Sequence, residues 1–205
     1  MEMLKFFHSP ASCSDGILLI LSELDVEFEI EIINVKKGMQ REPAFLEINP
    51  KGKVPALMLD DGSMLTEFQT IAYWLASKFT KNNLWPNDLG KQSRTLEIMD
   101  FIVGSVHMRG FTFVKMPGKF QLDEKGTEDL KKFGITEVEK GLKYISSVLG
   151  GSEYLIGDFG IADAALFYVL QWAEQEQIPH SKNLKAFLNR VRERPAYQRA
   201  FRKID

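Results

Sequence analysis

The stretch Asn49-Pro50-Lys51-Gly52-Lys53-Val54-Pro55-Ala56-Leu57, followed by Leu65-Thr66-Glu67-Phe68-Gln69, decides how this chain is read. Its first half is a polar turn entering a short apolar strand that has a proline almost at its start. Proline has no N–H to give to a sheet ladder, so this end of the strand is expected to meet something other than a neighbouring strand. A Val54-Pro55 bond in so tight an approach is a natural place for the cis isomer. The peptide groups of Val54 are then expected to face outward, where an extended peptide ligand can pair with them. The second half reads as a helix start, because Thr66 and Gln69 have capping-box spacing, Thr66 at the N-cap and Gln69 at the third helical position. That puts Glu67 and Phe68 in the first turn, where free backbone N–H groups and the positive end of the helix dipole favour a carboxylate. A strand edge for peptide backbone and a helix tip for a carboxylate together point to a site for a small anionic peptide.

Upstream, Leu4-Lys5-Phe6-Phe7 reads as a strand and His8-Ser9-Pro10-Ala11-Ser12 as the loop leaving it. Residues 14–24 carry Ile17, Leu18, Leu21 and Leu24 at helical spacing. Phe28-Glu29-Ile30-Glu31-Ile32 alternates strictly, which predicts a strand with Phe28, Ile30 and Ile32 toward a core and the glutamates toward water. Residues 34–42 read as a loop and 43–48 as a short helix. Downstream, residues 54–59, the turn Asp60-Asp61-Gly62-Ser63 and Met64-Leu65 predict a hairpin. Thr66 then opens a helix to about Phe79. The resulting order, β-α-β-α-β-β-α with the last two strands antiparallel, is that of an α/β layer.

Residues 81–88 are polar with one aromatic anchor, Trp85, and read as a linker. Beyond Gly90 every periodic segment is helical: 91–114; 126–149 with Leu130, Phe133, Ile135, Val138, Leu142, Ile145 and Leu149; the strongly apolar run from Ile161 through Trp172; 184–191; and 195–201. The apolar run is expected at the centre of a helical core. Asp163 stands three residues after Gly160, the spacing of a capping acid, with glycine as a tolerable cap.

Composition narrows the function. A chain of 205 residues with 44% hydrophobic residues can bury a sizeable core, which argues against disorder. A formal net charge of -2 argues against an electrostatic nucleic-acid binder. No apolar run approaches the roughly 20 residues of a membrane helix, and no signal-like segment is read at the N-terminus. A single cysteine, Cys13, excludes both an internal disulfide and a two-thiol redox cycle, and fits a reducing cytoplasm.

The motifs N-P-K-G-K-V-P-A-L (49–57), D-D-G-S-M-L-T-E (60–67) and S-P-A-S-C-S (9–14) resemble those of glutathione S-transferases, most of all the bacterial beta-like class. The resemblance runs through nearly the whole chain. It implies an N-terminal thioredoxin-like α/β domain at 1–80, a linker at 81–90 and an all-α helical bundle at 91–205. It further implies a cytosolic homodimer that attaches the glutathione thiolate to small hydrophobic electrophiles in detoxification, or reduces small disulfides and peroxides through Cys13. Glutathione is then a co-substrate, with no metal site and no further cofactor, and no nucleic-acid or membrane partner. The alternative is a protein of this fold that has lost catalysis and acts as a binding module in a protein complex.

By the same resemblance Cys13, at the tip of the first helix, lies beside the glutathione sulfur. Partial positive charge there favours a thiolate, while a buried structural cysteine is the other reading. Ser12 and Ser14 are neighbouring hydroxyls able to donate to a thiolate. Val54 and Pro55 are implied to meet the peptide backbone of glutathione. Glu67 is implied to hold the ligand's α-ammonium, and the Phe68 N–H its γ-glutamyl carboxylate. The family has a small residue where this chain has Phe68, so the ring is expected to weaken binding or reshape the pocket. Lys36, Lys37 and Lys53 are candidates for the glycyl carboxylate, with solvated surface lysines as the ordinary alternative. His107 matches a histidine that faces the sulfur, although Met108 replaces the lysine that usually follows it. Asp100, seven residues earlier, matches a position that reaches the neighbouring subunit's glutathione. Phe111, Phe113, Tyr168 and Trp172 either line the electrophile pocket or are core, Trp172 reading as core.

Overall fold

The computed structural model describes residues 3–201, which form two compact units, one from the N-terminus to Trp85 together with the segment from Glu193 onward, the other from Pro86 to Arg192. The first unit holds β1 (Leu4–His8), α1 (Ser14–Glu23), β2 (Phe28–Ile32), two single 3-10 turns, α2 (Pro43–Ile48), β3 (Ala56–Met58), β4 (Met64–Thr66) and α3 (Phe68–Lys78). The strands form one mixed sheet in the order β2-β1-β3-β4. β1 runs parallel to β2, with Phe6 opposite Ile30, while β3 is antiparallel to both β1 and β4. This is the thioredoxin-like layer expected from the sequence.

β1 is the centre of that layer because its side chains are apolar on both faces. Phe7 packs with Ile33, Phe45 of α2 and Ala56. Strand alternation sends Leu4, Phe6 and His8 to the opposite face, where α1 packs against α3. The alternation of β2 predicts a strand correctly but not its depth. Ile30 and Ile32 are both exposed and Phe28 only half-buried, because β2 is the edge of the sheet.

The helix after β4 also starts later than its capping-box spacing predicts. Thr66 stays in the ladder opposite Ala56, so the chain turns at Glu67, which becomes the cap residue and makes no side-chain capping bond. A last helix, α9 (Pro195–Phe201), packs on α1 within this unit. Ser22 Oγ donates to the Ala196 carbonyl at 2.8 Å, the Arg199 guanidinium donates to the Ser22 carbonyl at 2.8 Å, and Arg194 forms a two-pronged pair with Glu23.

The second unit is all helical. α4 (Leu89–Phe101), a π-helical stretch (Ile102–Phe111) and α5 (Thr112–Lys115) follow one another without a break, and α6 (Glu124–Leu149) packs along them. The sequence period predicts one continuous helix over this run and does not reveal the wider winding in its middle, where His107 lies. The close approach of the two rods depends on glycine. A methyl group at Gly134 would lie 2.9 Å from the Gly110 carbonyl oxygen, and one at Gly141 would lie 2.6 Å from Val106 Cγ2. α7 (Ile161–Gln175) is buried almost throughout and forms the core of this unit. Its first turn is held by Asp163, which accepts the N–H of Gly160 and that of Leu155, each at 3.0 Å. α8 (Lys182–Glu193) completes the bundle.

Gly134→Ala therefore forces a methyl group against backbone, and overpacking of this kind costs about 1–3 kcal/mol. Urea unfolding should show that loss with the native fold kept, and a variant as stable as the parent would contradict the packing described.

Candidate active site

The site in the first unit is built on the loop that joins β1 to α1. His8, last residue of the central strand, is fully buried, and its Nδ1 lies 2.7 Å from Ser14 Oγ. That hydroxyl also accepts the Ser9 N–H at 3.0 Å and lies 2.7 Å from Ser12 Oγ, while Ser12 Oγ accepts the Ser14 N–H at 3.1 Å. Ala11 turns the loop with φ 61°, a left-handed conformation unusual for alanine. Its N–H is bonded to the carboxyl of Asp15. The other ring nitrogen of His8, Nε2, is buried without a hydrogen-bond partner and points at Asp15 Oδ1, 3.7 Å away. Burial lowers the His8 imidazole to about 4 and raises the Asp15 carboxyl to about 7, against the pull of the Ala11 N–H.

Cys13 sits at the N-cap position of α1, as the sequence predicts, and is half-buried. Its thiol donates to the Val54 carbonyl at 3.6 Å. The expected thiolate does not follow. Burial pushes this thiol up to about 12, the Asp15 and Glu67 carboxylates add to the rise, and the N–H groups of Cys13 and Ser14 offset only part of it. The helix tip is a real attraction for negative charge, but desolvation outweighs it.

Val54-Pro55 is cis, so the turn places the Val54 carbonyl against the tip of α1. At the tip of α3, Glu67 has φ 70° and ψ 130°, outside the regions open to most L residues and costing about 1–3 kcal/mol. Its carboxylate is exposed and paired with Lys51, whose Nζ lies 2.7 Å from Glu67 Oε1 and donates to Thr66 Oγ1 at 2.8 Å. Phe68 turns its ring inward and is buried. Lys36, Lys37 and Lys53 are all exposed. The Lys53 carbonyl accepts the Asn49 side-chain amide at 2.8 Å, which fixes the turn before Val54.

In the second unit, His107 is half-buried in the π-helical stretch. Its Nδ1 lies 3.1 Å from the Tyr168 hydroxyl, and its ring stands edge-on to Trp172 with centroids 4.8 Å apart. Phe111 packs on the same indole. Phe111, Tyr168 and Trp172 are buried, whereas Phe113 is half-buried and stacks on Phe120. Asp100 and Met108 are exposed. No helix among the described residues is long and apolar enough to cross a membrane.

Residues 11–78 match the glutathione S-transferase N-terminal domain family, and residues 114–199 match the C-terminal domain family. The chain belongs to the glutathione S-transferase family. Among curated relatives of this transferase, the glutathione S-transferase GstA of Escherichia coli O157:H7 is 32% identical over 202 residues, 96% of each chain. A sphingomonad glutathione S-transferase complexed with glutathione superposes with a TM-score of 0.85 at 28% identity, over 97% of this chain and 98% of that one. A bacterial beta class glutathione S-transferase from Sphingomonas chungbukensis gives 0.83 at 28% identity over the same shares.

The sequence reading of the transferase misses three site residues. His8 and Asp15 are passed over because neither stands in a recognisable spacing, although strand alternation already directs His8 to the α1 face. Lys51 is passed over in favour of Lys53, two positions on, and only the turn geometry separates them. Cys13 should be nearly inert: at pH 8 its alkylation by iodoacetamide should run about three orders of magnitude below that of a free thiol of pKa about 8.5. Rapid labelling at neutral pH would contradict the environment described. Asp15 also makes a stability prediction. Its folded value of about 7 lies above the ordinary 3.8, so the unfolded chain releases this proton first, and stability is lost as pH rises from about 4 to 7. Asp15→Asn should therefore gain stability over the parent at pH 8 and gain little at pH 4, as read by thermal melts.

Proposed function

We propose that this transferase binds glutathione at the tips of α1 and α3 and attaches its sulfur to small hydrophobic electrophiles. The observation that carries the proposal is the convergence in one unit of Cys13 and the Val54 carbonyl, 3.6 Å apart, with the cis Val54-Pro55 turn between the sheet and the tip of α1. In this reading the peptide groups of Val54 pair with the ligand backbone, and the Phe68 N–H receives the γ-glutamyl carboxylate. Glu67 exchanges its Lys51 partner for the ligand's α-ammonium, and Lys37 or Lys53 meets the glycyl carboxylate. By the family resemblance His107, Phe111, Phe113 and Tyr168 of the helical unit are assigned to the electrophile, and Asp100 to the glutathione of a second subunit in a homodimer. A cytoplasmic detoxifying role fits the single reduced cysteine.

Of the two chemistries open to the family resemblance, conjugation is the better supported. A Cys13 thiol held near 12 is a poor nucleophile at neutral pH, so the reacting sulfur is that of glutathione. Conjugation needs little covalent help, because holding thiolate and electrophile together supplies most of the acceleration.

Calorimetric titration of glutathione into the wild type and Cys13→Ala tests this. Micromolar to low-millimolar binding is expected in both. Conjugation by Cys13→Ala should fall by no more than about tenfold, the loss of one weak hydrogen bond, and neither protein should show disulfide exchange through residue 13. No heat with the wild type overturns the transferase reading, and abolished conjugation in a variant that still binds assigns Cys13 to the chemistry.

A further inference from the structure

The outer edge of β2 is open. Ile33, the residue after the strand, gives its N–H to the His8 carbonyl at 2.7 Å. Backbone groups point alternately to the two sides of a strand, so Glu29 and Glu31 also turn theirs toward β1, while Phe28, Ile30 and Ile32 turn theirs away from the sheet. β2 has β1 as its neighbour and lies at the end of the sheet. The outward N–H and carbonyl groups meet no backbone partner among the described residues. Side chains alternate too. The register sets Glu29 beside Lys5 and Glu31 beside Phe7, so the glutamates share one face of the sheet, and it sets Ile30 beside Phe6 and Ile32 beside His8 on the other. Ile30 and Ile32 are 42% and 43% exposed.

An open strand edge is a template for another chain, and proteins ordinarily blunt it with proline, lysine or a bulge. Phe28-Glu29-Ile30-Glu31-Ile32 has no proline and no lysine, and all five residues pair with β1 in unbroken register. The charge along the edge is of one sign. Lys5 of the neighbouring strand is paired with Glu31 at 2.7 Å, and exposed Glu29 is in no ion pair among the described residues.

We propose that this edge takes an extended segment of a partner protein in which apolar residues alternate with lysine or arginine. Added antiparallel, such a segment exchanges N–H···O bonds with Phe28, Ile30 and Ile32 and extends the sheet by one strand. Glu29 and Glu31 then fall at the non-hydrogen-bonded pairs, where facing side chains come closest, so the charge opposite them decides the partner. A basic side chain there meets a carboxylate, and the apolar residues between cover Ile30 and Ile32. The same rule turns away a second copy of this chain. Antiparallel pairing about Ile30 sets Glu29 opposite Glu31 twice, and a shift of the register sets one glutamate opposite its own copy. Like charges directly opposite are destabilising. The proposal does not depend on glutathione, since β2 supplies no residue to the site at the tips of α1 and α3.

The test is an amide NMR titration of the whole protein with end-capped Lys-Val-Lys-Val-Lys-Val-Lys, and with Glu-Val-Glu-Val-Glu-Val-Glu as control. The basic peptide should bind saturably and shift the amide resonances of residues 28–33, and the acidic one should not. Ile30→Pro removes one outward N–H without touching the bonds to β1, a placement that an edge strand tolerates, and it should abolish peptide binding. Glutathione titration should give the same heat with this variant as with the wild type. Glu29→Lys should weaken the basic peptide about tenfold, as an attractive cross-strand pair becomes a repulsive one, and should let the acidic peptide bind. This charge swap carries the test if Ile30→Pro does not fold. Equal binding of the two peptides, shifts confined to residues outside β2, or no saturable binding of the basic peptide overturns the proposal. So do β2 shifts that follow protein concentration without peptide, which would make a second copy the occupant. None of these outcomes bears on the glutathione reading, whose own failure would be the absence of heat with glutathione.

Discussion

A single buried hydroxyl, Ser14 Oγ, ties the central strand to the first helix. It meets the ring of His8 at the end of β1, the backbone of Ser9 in the loop and the side chain of Ser12 at the helix tip. The loop between them must run over the sheet with its polar groups out of water, where an unpaired group costs about 1–3 kcal/mol. That constraint fixes the path of residues 8–15. The path in turn sets Cys13 at the helix tip, within reach of the Val54 carbonyl on the neighbouring turn.

The electrostatics of this corner work against the feature that first draws the eye. A cysteine at a helix N-terminus invites the reading of a reactive thiolate, yet buried Asp15 two residues on supplies a competing negative charge. Neither acid is comfortable ionised in so dry a setting. Such a place is poorly suited to a permanently ionised cysteine. Glu67, by contrast, is exposed and already paired with Lys51, so it can change partners at little cost. The two helix tips thus differ in kind, one buried and sparing of charge, the other open and exchangeable.

Much of this was legible in the residues. Period-2 alternation and the order of elements gave the α/β layer, and the apolar run at Ile161–Trp172 gave the core of the helical unit. What stayed hidden has physical causes. Whether Ile30 and Ile32 are covered depends on where β2 falls in the sheet, which is a long-range property. The turn at Glu67 came one residue late because pairing of Thr66 with Ala56 outweighed a local capping box. The ring of Phe68, expected at the helix tip, is buried. His8 and Asp15 carry no spacing signal, since their meeting depends on a loop that bends through Ala11 at positive φ. The π-helical winding around His107 leaves no mark on a helical hydrophobic period.

The most direct measurement is a crystal structure of the protein with glutathione. The account predicts density for the tripeptide in the first unit, its backbone paired with Val54 and its γ-glutamyl carboxylate at the Phe68 N–H. The Glu67 carboxylate should have left Lys51 for the ligand's ammonium, and the sulfur should lie at the tip of α1. Glutathione bound with Glu67 still held by Lys51, or bound away from the tips of α1 and α3, would contradict it.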